Sequence, residues 1–107
     1  MINITLYHSN DGAQLGFNIK GHAGYAQSGS DIVCAAISSS AYLVANTIIE
    51  VMGVKADASV DENGEMTVLV PKDSAIKTNE ILLGFKLHVK ELQKQYPKNV
   101  TITTTEV

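Results

Sequence analysis

The chain has 107 residues, 45% of them apolar, and a net charge of −3, which suits one small folded core and excludes two domains or a disordered chain. All eight basic residues are lysines, and without arginine's planar fork there is little case for phosphate or nucleic-acid recognition. The single cysteine, Cys34, excludes an internal disulfide, and a lone thiol suits a reducing cytoplasm.

The opening MINITLYHSN lacks the charged segment and long apolar run of a secretory signal. Ile2, Ile4 and Leu6 alternate with Asn3, Thr5 and Tyr7, the period of a half-buried strand. Asn10-Asp11-Gly12 is a turn signal, and Leu15, Phe17 and Ile19 alternate beyond it, so a hairpin is expected that ends by delivering Gly21 and His22. A connection follows. Ser30 or Asp31 is expected to cap a helix running to about Met52, with Gly53 as its stop. Residues 32 to 49 carry no charge and could be mistaken for a membrane span. The serines inside the run and the Asp31 and Glu50 that bound it favour a buried soluble helix instead.

Cys34, Ser38, Ala41 and Ala45 fall on one narrow face of that helix. Val54 to Val60 and Met66 to Val70 flank Asp61-Glu62-Asn63-Gly64, a second hairpin. Ser74 is expected to cap a second helix to about Tyr96, with Ile81, Leu82, Phe85, Val89 and Leu92 on its apolar face and Leu83 and Leu87 as surface leucines. Val100 to Thr104 reads as a last strand. The expected fold is therefore α+β: a two-layer sandwich with a largely antiparallel sheet of about five strands and two helices, order ββαββαβ, in one domain spanning residues 1–107.

Cys34 has two readings. It is a small apolar residue packed at a helix start, or it is a nucleophile in the first turn, where unpaired amides and the helix dipole lower a thiol's pKa and could hold an oxyanion. His22 stands twelve positions earlier across a glycine-containing connection, a spacing that can bring an imidazole to the thiol as a base. Asp31 is either a cap or the third member of a triad. Ser38 either hydrogen-bonds a thiolate or substrate, or bonds back into its own helix. His8 and His88 read as structural. With no C-x-x-C or H-x-x-x-H spacing, neither metal nor cofactor is expected.

The run GHAGYAQSGSDIVCAAIS, residues 21–38, resembles the signature of the ribosomal-processing cysteine protease family, Prp. The matching positions are Gly21, His22, Ala23, Gly29, Asp31, Ile32, Val33, Cys34, Ala35 and Ser38. The resemblance implies a cytoplasmic endopeptidase, a homodimer, that removes the N-terminal extension of a large-subunit ribosomal protein after a pair of phenylalanines. It implies Cys34 as nucleophile, His22 as base and acid, and Asp31 and Ser38 as supporting residues. The loop with Gly21, Ala23, Gly24, Gly29 and Ser30 would be a mobile gate, and neither nucleic acid nor membrane would be a partner. Two rivals differ in class: a non-catalytic ribosome-assembly module that binds the same extension, and a redox-sensing thiol protein.

Overall fold

The computed structural model describes residues 1–21 and 28–107, the side chains of 28–31 excepted. Strands β1 (Ile2–His8) and β2 (Gln14–Lys20) are followed by helix α1 (Ser28–Asn46), which continues as a wider π-helical turn, Thr47–Val51. Then come β3 (Asp57–Val60), β4 (Met66–Leu69), a 3₁₀ turn (Lys72–Ser74) leading into α2 (Ala75–Gln95), and β5 (Val100–Glu106). The sheet order is β3-β4-β2-β1-β5. All pairs are antiparallel except β1 with β5. This is the expected ββαββαβ sandwich.

Alternation decides which face of the sheet is covered. Leu6 stands opposite Phe17 and Phe17 opposite Val68, and all three are buried under the helices. The other face is polar and stitched across strands: Thr101 donates to Asn3, Thr5 meets Thr103, and Asn18 Nδ2 donates to Thr67 Oγ1 at 2.8 Å. Such side-chain pairs let one sheet face meet water while the other packs.

On α1 the buried residues are Val33, Ile37, Ala41, Val44, Ala45 and Ile48, spaced as one helical face. Ile32–Val51 has mean hydropathy 1.8 and the length to cross a membrane, yet this face packs in the core formed with the sheet. The helix runs as far as expected. Met52 N–H donates to Thr47 O at 2.8 Å and Val54 N–H to Ile48 O at 3.0 Å, around Gly53, so two carbonyls of its last turn are satisfied. On α2, Leu82, Phe85, Val89 and Leu92 are buried as expected, and Leu83 and Leu87 are exposed. Phe85 stacks on Phe17 with ring centroids 4.3 Å apart.

Three boundaries differ from the sequence reading. Helix α1 starts at Ser28, ahead of both Ser30 and Asp31. β3 starts at Asp57 rather than Val54, because Val54 is held by the helix-end bond just described. The second hairpin turns through Asn-Gly as read, with Gly64 at φ +83° and its N–H donating to Asp61 O at 3.0 Å, and Asp61 Oδ1 also accepts from Asn63 N–H and Glu65 N–H, each at 2.9 Å. Ser74 does not cap α2. It already has helical φ and ψ, and its N–H donates to Pro71 O at 2.9 Å, so the extended residue before the helical run is Pro71.

Candidate active site

The site begins where β2 ends. Gly21 has φ +90°, and a Cβ there would lie 2.6 Å from the carbonyl oxygen of Met1. The chain can turn off the sheet at this point only with glycine. Helix α1 then lays a row of side chains above the same end of the sheet. Cys34, Ile37, Ser38 and Tyr42 recur at intervals of three and four, so they share a face.

Between this row and the sheet lies a groove of about 280 Å³. Its helix wall is Cys34, Ile37, Ser38 and Tyr42. Its floor is a row across the sheet: Ile19 on β2 pairs with Met66 on β4, and Met66 with Val60 on β3. Ile2, Gly21 and Gly64 complete the lining. At 1.5 Å per residue, Cys34 and Tyr42 are separated by about 12 Å along the helix, which spans three to four residues of extended peptide at roughly 3.3 Å each.

Cys34 is partly exposed on this wall. Ser38 is exposed one turn further on, and among the described residues its hydroxyl makes no hydrogen bond. Ser40, by contrast, bonds back to Ile37 O at 2.9 Å. Ser38 can therefore offer its O–H to a bound chain. His22, Ala23 and Gly24 lie outside the described residues, as do the side chains of Ser30 and Asp31; Gly29 falls in the first turn of α1. The expected meeting of His22 with Cys34 and the role of Asp31 thus fall outside the description, as do Ala23 and Gly24 of the expected loop, whereas Gly29 and Ser30 belong to helix α1 rather than to a loop.

One expectation about the thiol is corrected. Because α1 starts at Ser28, Cys34 is six positions in, beyond the first turn. In an α-helix the N–H at position 34 turns back toward the carbonyl at position 30, so it is not a spare donor for an oxyanion. The other histidines stay apart from the groove. His8 ends β1 at the opposite end from Ile2, its Nδ1 2.9 Å from Ser9 O. His88 is on α2, lining a separate groove between the helices. No group of three His, Cys, Asp or Glu able to hold a metal occurs among the described residues.

Tyr42 and the floor residues were missed by sequence reasoning. The signal for Tyr42 was available, since it lies two turns from Cys34. That for Ile19, Met66 and Val60 was not, because it needs the pairing of β2 with β4.

The arrangement matches known proteins along its length. A family model described as "Cysteine protease Prp" matches residues 1–101. The ribosomal processing cysteine protease Prp of Bacillus subtilis (strain 168) is 26% identical over 109 residues, 97% of each chain. The crystal structure of the essential ribosomal processing protease Prp from S. aureus in complex with a substrate peptide superimposes with a TM-score of 0.88 at 21% identity, covering 98% of this chain and 100% of that one. The same S. aureus protease with a covalently linked product peptide gives 0.86 at 23%, with equal coverage.

Proposed function

The chain belongs to the Prp family of cysteine proteases, and from that premise we propose that it removes the N-terminal extension of a large-subunit ribosomal protein, cutting after a pair of phenylalanines in the cytoplasm as a homodimer. The observation that carries the reading is the placement of Cys34: a partly exposed thiol on the wall of an apolar groove long enough for three to four residues of extended peptide.

In this reaction His22 takes the proton of the Cys34 thiol and the sulfur attacks the scissile carbonyl carbon. The C–N bond breaks as the same imidazole returns the proton to the leaving amine. Water, deprotonated by His22, then attacks the thioester, releasing the acid and restoring the thiol. Asp31 orients the imidazole and Ser38 donates its O–H to the bound chain. The apolar groove accepts the side chains before the cut, and the uncharged lining its described residues provide favours phenylalanine over acidic or basic residues.

The test is a digest of a synthetic extension peptide read by mass spectrometry, with Cys34→Ala and His22→Ala beside the wild type. Two fragments split after the phenylalanine pair, absent with either variant, are expected. A peptide that binds but stays whole would make the chain a recognition module. Peptide binding that responds to peroxide but survives Cys34→Ser, with no cut, would favour the redox reading.

A further inference from the structure

Most of the groove's hydrocarbon is buried by the protein itself: Met66 is 6% exposed and Ile19 9%. Two apolar side chains in the lining are different. Val60 is 49% exposed and Tyr42 48%. Val60 stands opposite Met66 across the β3–β4 ladder and so points to the same, helix-covered side of the sheet. Being on the edge strand, it is left half bare. Tyr42 comes from the helix wall above that floor, two turns along α1 from the sulfur. Two half-bare apolar groups, one on the floor and one on the helix wall of a groove whose other hydrocarbon the protein already covers, make a slot that gains by being filled with hydrocarbon. Among the described residues no Lys, Asp or Glu lines it, so a charged side chain held between them would lose its water without gaining a partner there.

We infer that Val60 and Tyr42 are specificity-determining residues of this site: between them they hold one uncharged apolar side chain of the peptide and fix how large it can be. The inference rests on the proteolytic reading, and Tyr42 stands two turns along α1 from the sulfur while Val60 lies on the edge strand. Both act by the shape of the slot alone.

The test uses a peptide set in which each of the three positions on either side of the scissile bond is in turn Ala, Leu, Phe or Glu. Cleavage is measured as kcat/KM for wild type, Val60→Trp and Tyr42→Ala. In the wild type one position should prefer Phe over Glu by about a hundredfold, as expected for a pocket with no partner for charge. At that position alone, Val60→Trp should shift the ratio of Phe to Ala by about tenfold toward Ala. Tyr42→Ala should flatten it. If both variants change every peptide by one common factor, the slot is elsewhere. Should Val60→Trp fail to fold, Val60→Ala carries the same test with the opposite sign, toward larger residues. The same peptides are also titrated onto the Cys34→Ala chain by fluorescence anisotropy. If the wild type cuts nothing, the proteolytic reading fails alone, and an affinity ranking that Val60→Trp leaves unchanged overturns the slot as well.

Discussion

Replacing Gly21 by alanine probes the hinge between fold and site. Two costs add. At φ +90° an L-residue loses roughly 1–2 kcal/mol relative to glycine. In addition, its Cβ would come within 2.6 Å of Met1 O, a backbone atom that cannot move freely because the next residue is tied down by Ile2 N–H to Asn99 O at 2.8 Å. Forcing that contact apart adds about 1–3 kcal/mol, for a total of about 2–5 kcal/mol. Gly12 supplies the internal control. Its φ is +89°, but nothing lies within 4 Å of a Cβ built there, so Gly12→Ala pays the conformational cost alone. At about 4–8 °C per kcal/mol for a domain near this size, Gly12→Ala should lower the melting temperature by about 4–16 °C and Gly21→Ala clearly further. Urea unfolding followed by circular dichroism gives both free energies. Under conditions where each variant is folded, Gly21→Ala should also lose peptidase activity, because it displaces the groove lining and the residue that follows. Gly12, in the turn at the other end of the hairpin, should not matter to activity. Equal destabilisation by the two variants, with equal cleavage, would refute the reasoning.

Other perturbations follow from the same structure. Cys34→Ala should abolish cleavage while changing unfolding free energy by no more than about 1 kcal/mol, since the side chain is only partly buried; residual turnover would remove Cys34 as nucleophile. Phe85→Ala empties the position stacked on Phe17 and should cost about 3–5 kcal/mol in urea unfolding, part of it the lost ring pair; a loss below about 1 kcal/mol would mean the stack is not in the core. Asp11 is held below its ordinary value of 3.8, first by the Ser9 hydroxyl and then by the Ala13 N–H. A lowered folded value means its contribution is present above the unfolded pKa and is lost as pH falls through the folded one. An NMR titration should place its midpoint below 3.8 and see it rise in Ser9→Ala, and an unshifted wild-type midpoint would count against that hydrogen bond.

How much could be read in advance depended on how local the cause was. The alternation of Ile2, Ile4 and Leu6, the apolar stripe from Leu82 to Leu92, and Gly53 at the end of α1 are all short-range signals, and each appears in the structure as read. The start of α1 was harder. Ser30 and Asp31 both have the chemistry of a cap, yet the helix already contains both, so cap chemistry alone did not mark its start. Val54 carries a β-branched side chain in an alternating run, yet a bond to Ile48 O claims its N–H. The site divides the same way. Cys34 and Ser38 stood out because spacing on one helix fixes their shared face. The floor of the groove did not, since Ile19 and Met66 meet only through pairing between distant strands, an outcome of the whole fold.

The central claim is that the sulfur of Cys34 becomes covalently attached to the acyl half of the peptide during turnover. Acid-quenching the reaction within its first cycle and weighing the intact chain tests this directly. The account predicts a transient species heavier by the acyl fragment, its added mass located by digestion on the segment containing Cys34. Cleavage that proceeds at full rate with no such adduct, and continues in Cys34→Ala, would contradict it.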